Sequence, residues 1–347
     1  MKKSKLSVAL LTACMAATLL AGCGDKKTET TEATTEATTE AATEAATTTE
    51  ATVADATASE ADADEDENYE TGDASLDNVR NQDEIGDNEL LVVSFGTSFN
   101  DSRRLTIGAI ENKLDEEFGK DYSVRRGFTS QIIIDHVKRR DGIAIDNMTE
   151  ALDRAVDNGV KNLVIQPTHL MNGLEYTDVV NEVGDYADAF DQVVIGDPLL
   201  TSDEDFDEVV KAITDATAEY DDGETAICFM GHGTEGNEVY QKMQDKLTDA
   251  GFENYFVGTV EATPSVDDVL AKVQAGDYKK VVLEPLMIVA GDHANNDMAG
   301  DEEGSWKTTF EDAGYDVTCL VRGLGELPAI QDIFVKHAQA AIDKLNK

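Results

Sequence analysis

The apolar positions of this chain fall into short continuous runs separated by amphipathic stretches. Leu90-Leu91-Val92-Val93-Ser94-Phe95 is the first such run, and Gly96-Thr97-Ser98 ends it. From Asp101 to Phe118 the apolar residues Leu105, Ile107, Ile110 and Leu114 recur at helical spacing. The pattern predicts strand, tight turn and helix. It then recurs, with strands predicted over 122–128, 161–166, 191–196, 225–230, 254–260, 279–286 and 316–321. Strands that are apolar throughout and alternate with helices form parallel sheets covered on both faces. Two halves echo each other. Val92-Val93-Ser94-Phe95-Gly96-Thr97 matches Cys228-Phe229-Met230-Gly231-His232-Gly233 in place, and Leu163-Val164-Ile165-Gln166-Pro167 matches Val282-Leu283-Glu284-Pro285. The expectation is two doubly wound α/β domains, 89–205 and 206–347, with a connecting helix over 203–220. Ligands of such sheets lie outside the carboxyl ends of the strands, so two facing domains place the site in the cleft between them.

The first 88 residues do not share this pattern. Lys2, Lys3 and Lys5 precede an apolar stretch from Leu6 to Gly22 that ends in Leu20-Ala21-Gly22-Cys23. A basic head, a short apolar segment and small residues before a cleavage point make a secretory signal over 1–23. Leu-Ala-Gly-Cys is also the pattern of a bacterial lipobox, which makes Cys23 the lipidated N-terminus of the mature chain. The expectation is an exported lipoprotein, held by its lipid on the extracytoplasmic face of a bacterial membrane. Residues 24–88 are Thr, Glu, Ala and Asp with 20 acids and three bases. Such a segment buries too little apolar surface to offset its ordering entropy, so it reads as a disordered, extended linker. The whole chain carries a net charge of −43. That argues against nucleic-acid partners, which require clustered Lys and Arg.

Neither a dinucleotide fingerprint, a P-loop nor a Gly-x-Ser-x-Gly elbow follows any predicted strand. The chemistry lies in the histidines. His232 sits in Met230-Gly231-His232-Gly233, past one strand end, and His293 sits in Ala290-Gly291-Asp292-His293-Ala294, past another. Glu261 follows Val257-Gly258-Thr259-Val260. Three strand ends of one sheet therefore present His, Glu and His on one rim. Imidazole with carboxylate suits borderline divalent metals, and the same groups exchange protons near neutral pH. His169 follows the matching strand of the first half, and either faces the cleft or bonds within the core. His136 and His337 lie in helical runs and read as surface residues. Cys228 and Cys319 sit in apolar runs and read as buried free thiols, although a disulfide is permitted outside the cytoplasm.

Several segments carry a family resemblance. Val93-Ser94-Phe95-Gly96-Thr97-Ser98, Gly127-Phe128-Thr129-Ser130, Arg140-Asp141-Gly142-Ile143, Phe229-Met230-Gly231-His232-Gly233, Pro285-Leu286-Met287, Val289-Ala290-Gly291-Asp292-His293-Ala294-Asn295-Asn296-Asp297-Met298 and Ser305-Trp306-Lys307 resemble the anaerobic sirohydrochlorin cobalt chelatases of the CbiK type. These are class II tetrapyrrole chelatases. The resemblance covers nearly all of 89–345. It implies two Rossmann-like domains with the active site between them. It also implies insertion of Co2+ into sirohydrochlorin in anaerobic cobalamin biosynthesis, without nucleotide and with no cofactor beyond the divalent metal substrate. By matching motif, His232 and His293 become the metal-binding and proton-accepting pair, and Glu261 the third group. Ser94, Gly96, Thr97, Ser98, Arg126 and Glu175 become substrate contacts, and His169 joins them from its strand-end position. Glu175 lies in Asn172-Gly173-Leu174-Glu175-Tyr176, which departs from the family's Asn-Gly-Asp-Glu-Tyr at Leu174 and so removes one carboxylate from the cleft.

Two tensions follow. Sirohydrochlorin is rich in carboxylates, whereas 89–347 carries a net −29. Arg103, Arg104, Arg125, Arg126 and the helix starts after Gly96 and Gly233 are the candidate donors against that field. Corrin synthesis is cytoplasmic, whereas this chain carries an export signal. The sequence thus supports an exported cobaltochelatase or, as an alternative, an extracytoplasmic carrier of metal or tetrapyrrole (haem included) on a chelatase scaffold. The donor set admits Fe2+, Ni2+ and Zn2+ beside Co2+, and a homo-oligomer is compatible with everything read.

Overall fold

A computed structural model describes residues 71–233 and 238–345. The expected signal, Cys23 and residues 24–70 lie outside the described residues. Strands β1 (Asn88–Ser94), β2 (Ser123–Phe128), β3 (Asn162–Pro167) and β4 (Gln192–Ile195) form one parallel sheet in the order β2-β1-β3-β4. Strands β5 (Thr225–Gly231), β6 (Tyr255–Thr259), β7 (Lys280–Pro285) and β8 (Asp316–Cys319) repeat it as β6-β5-β7-β8. The helices are α1 (Asn100–Leu105), α2 (Ile107–Phe118), α3 (Gln131–Asp141), α4 (Met148–Asp157), α5 (Leu174–Tyr186), α6 (Asp203–Thr217), α7 (Val239–Asp249), α8 (Val266–Gln274), α9 (Trp306–Asp312) and α10 (Pro328–Leu345). Each sheet reverses its winding beside its first strand, so a crevice opens at the carboxyl ends of β1 and β3, and again at β5 and β7. This is the doubly wound α/β architecture that the apolar runs predict.

The runs are continuous because both faces of each strand are covered. Leu90 and Val92 enter one apolar layer, and Leu91 and Val93 another. In the second sheet Ile227 and Phe229 enter the same layer as Leu90 and Val92, while Ala226, Cys228 and Met230 face outward into a third. Phe206, Val209 and Ile213 of α6, with Ile330, Ile333 and Phe334 of α10, belong to that shared layer. One central core therefore joins the two sheets.

The structure departs from the sequence reading in four places. First, α10 crosses back to pack on α2, β3 and β4 of the first sheet, so 206–347 is not a self-contained half. That crossing buries His337, which meets Asp197 O and Asp205 Oδ1, each at 3.0 Å. His136 is buried as well, in α3. Second, residues 71–87 are not extended linker. They lie along the first sheet as a strap, with Asp77, Arg80 and Ile85 buried. Composition hid this because their partners are far away in sequence. Third, the helix over 101–118 breaks at Thr106, whose φ and ψ are −107° and −80° and whose hydroxyl donates back to Ser102 O at 2.6 Å. Fourth, the edge strands β4 and β8 are shorter than their runs. Cys228 and Cys319 are free thiols, and burial pushes both upward, Cys319 to about 11.

Candidate metal centre

The site is built at the carboxyl edge of the second sheet. β5 ends at Gly231, and the chain turns through His232 to Gly233, which has φ +98°. A Cβ on Gly233 would lie 2.8 Å from Ala262 N and 2.9 Å from Thr259 Cβ, so only glycine lets this turn press onto the turn after β6. Glu261 N donates to His232 O at 2.8 Å, which fixes the two residues side by side. Tyr240 of α7 steadies the same turn, its hydroxyl accepting from Gly233 N at 3.2 Å.

His293 arrives from the loop after β7, where one turn of π-helix (Ala294–Met298) begins. This turn brings Asp297 Oδ2 to 2.6 Å from His293 Nδ1. The bond to Asp297 outweighs desolvation and holds the His293 imidazole above its ordinary value. His232 Nδ1 lies 2.9 Å from Gly233 O. An imidazole that donates from Nδ1 presents the lone pair of Nε2, so both rings offer Nε2 as a ligand atom. The two rings stand edge to face with centroids 4.7 Å apart. Ligand atoms of His232, Glu261 and His293 all lie within 4.8 Å of one another, and His232 and Glu261 are about half exposed. Three donors with an open side can hold a divalent ion and release it, unlike a closed four-ligand cage.

Across the cleft, Glu175 is the second residue of α5. It is open to solvent yet walled by protein, and desolvation holds its carboxyl above the ordinary range while His232 pulls it down.

The remaining expected substrate contacts are not presented to a ligand. Ser94 is buried, its hydroxyl 2.6 Å from Thr168 Oγ1, where it ties β1 to β3. Gly96 has φ +107°, and a Cβ there would strike the Phe128 ring at 2.6 Å, so its role is the turn itself. Thr97 and Ser98 are buried, and their carbonyls accept from Arg103 Nη1 at 3.1 and 3.4 Å. Arg126 is fully buried between Glu111 and Asp77. His169 is 6% exposed, neither ring nitrogen has a partner, and burial pushes it down to about 4.

The other candidate arginines are engaged too, and residues 234–237, which lead to the helix start after Gly233, lie outside the described residues. Arg103 pairs with Asp77, Arg125 with Glu89 and Asp146, and Arg104 with Asp101. The helix start after Gly96 is occupied by Thr71 O, which accepts from Asp101 N at 2.7 Å. Sequence reasoning missed Asp297, Tyr240 and Asp77. Only Asp297 left a readable signal, a carboxylate four residues after a loop histidine.

A family model described as "Cobalt chelatase (CbiK)" matches residues 88–343. A sirohydrochlorin cobaltochelatase of Salmonella typhimurium is 38% identical over 256 residues, covering 73% of this chain and 96% of its own. The sirohydrochlorin cobaltochelatase CbiKC of Nitratidesulfovibrio vulgaris is 29% identical over 281 residues, covering 78% of this chain and 97% of its own. Among solved structures, SirB from Bacillus subtilis with Fe3+ aligns with a TM-score of 0.55 at 13% identity, covering 76% of this chain and 98% of that one. At such identity the likeness speaks for the fold alone. A match that runs from β1 to the last turn of α10, with a relative more than a third identical over most of its length, settles the lineage: the chain belongs to the CbiK cobalt chelatase family.

Proposed function

We propose that this chain is a chelatase that inserts Co2+ into sirohydrochlorin. Metallation exchanges two pyrrole N–H protons for one divalent ion. The protein must therefore hold the ion on one face of the macrocycle and accept protons as the ring closes on it. In this reading Nε2 of His232, Nε2 of His293 and the Glu261 carboxylate hold the ion. Glu175, facing them from the first half with a carboxyl of raised proton affinity, accepts a proton from the opposite side. The observation that carries the reading is that His232, Glu261 and His293 each bring a ligand atom within 4.8 Å of the others, with His232 and Glu261 about half exposed. The relatives' shared name supplies the substrate pair.

A carrier for haem or another tetrapyrrole is the second reading. One observation favours it: the arginines expected to meet substrate carboxylates are buried or already paired. The Leu20-Ala21-Gly22-Cys23 pattern supports lipid anchoring at an extracytoplasmic surface for either function. Purified protein with sirohydrochlorin and Co2+ under anaerobic conditions, followed by absorbance, decides between them. Metallation well above the uncatalysed rate is expected. An uncatalysed rate alongside tight haem binding would select the carrier.

A further inference from the structure

The strap over residues 71–87 precedes the segment matched by the family model, yet it grips an element that touches the turn leading to His293. Asp77 is buried and accepts from Arg103 Nε at 2.7 Å and from Arg126 Nη1 and Nη2 at 2.7 and 3.0 Å. Thr71 O accepts from Asp101 N, and Asn100 Nδ2 donates to Thr71 Oγ1 at 3.3 Å and Gly72 O at 3.2 Å. Helix α1 is thus held by the strap at its first turn and again at Arg103.

From α1 the contacts pass into the second half. Ser102 Oγ accepts from Ala290 N at 2.9 Å. Arg103 fixes Thr97, and Thr97 Oγ1 stands 3.2 Å from where a side chain on Gly291 would begin. Ala290 and Gly291 open the turn that carries His293. By contrast, His232 and Glu261 are fixed to each other from within the second half.

We propose that Asp77 is a positioning residue for His293. By balancing the buried Arg103, it fixes α1, and α1 fixes the turn at Ala290 and Gly291 that sets the His293 ring against His232 and Glu261. An unbalanced buried guanidinium would instead draw in water or shift, and the Ser102 hydroxyl would move with it. The proposal rests on the metal-site reading of His293 and not on the identity of the tetrapyrrole.

The test is a Co2+ titration of the full chain without tetrapyrrole, read by visible absorption well below the unfolding temperature. Asp77→Asn and Ser102→Ala are each expected to raise the Co2+ Kd about tenfold, as loss of outer support for a metal ligand does. Both act through α1, so the double variant is expected to fall well short of multiplying the single effects. A parent-like Kd in Asp77→Asn, even with lowered thermal stability, would overturn the proposal, as would effects that multiply in the double variant. Should Asp77→Asn fail to fold, Asp77→Glu, which keeps the charge but displaces the carboxylate from Arg103 by one methylene, carries the same expectation and the same refutation. Chelation of sirohydrochlorin, assayed separately on the parent chain, decides the function without entering this comparison.

Discussion

Gly96 and Gly233 hold equivalent places in the two halves. Each follows the strand beside its sheet's switch point, and each has positive φ. Around Gly96 the backbone is sealed: Thr97 and Ser98 are buried, and their carbonyls are taken by arginine. Around Gly233 the same turn stays open and offers His232 beside Glu261. One topology thus yields a structural rim and a chemical rim. Near the first rim Arg103 and Arg126 are taken up in buried ion pairs, whereas at the second rim His232 and Glu261 stay at the edge.

The largest expected effect separates the two rims. His232→Ala or His293→Ala should lower the metallation rate on the order of 100-fold, the usual scale for loss of an acid–base or ligand group. His169→Ala, at the first rim, should keep a parent-like rate. Comparable losses in all three would erase the distinction. Next comes stability. Arg126→Met leaves Glu111 and Asp77 as buried carboxylates short of a partner. It should cost about 3–5 kcal/mol in urea unfolding. His232→Ala, half exposed, should stay within about 0.5 kcal/mol of the parent.

Gly233→Ala sharpens the contrast at the turns themselves. Positive φ and the approach of Ala262 N to 2.8 Å should cost about 1–3 kcal/mol, and Co2+ affinity should fall as His232 and Glu261 separate. The smallest effect concerns pH. Metal binding needs a neutral imidazole, and Asp297 raises His293 above its ordinary value. Co2+ affinity should therefore fall as pH drops through that raised value. In Asp297→Asn the midpoint should move to lower pH, measured by Co2+ titration across a pH series. A midpoint that stays in place would mean that another group governs it.

Much of this contrast was legible from the chain. Leu90–Val93 and Ala226–Met230 read as strands because burial on both faces leaves no polar alternation to confuse them with helix. His232, Glu261 and His293 were legible because each follows a predicted strand end, the two histidines with glycine close by. Arg126 was not, since an arginine looks alike whether it meets a ligand or a buried acid, and its acid Asp77 lies 49 residues away. The strap was hidden by its acidic neighbours, for composition averages over the few residues that dock. The crossing of α10 was hidden because an amphipathic helix declares that it is covered, and not by which sheet.

X-ray absorption of the Co2+-loaded protein tests the central claim most directly, because it reports which side chains hold the ion. The account predicts scattering from two imidazoles with oxygen completing the shell, from one imidazole in His232→Ala and in His293→Ala, and an unchanged pattern in His169→Ala. An oxygen-only shell, or one that His232→Ala leaves intact, would contradict it.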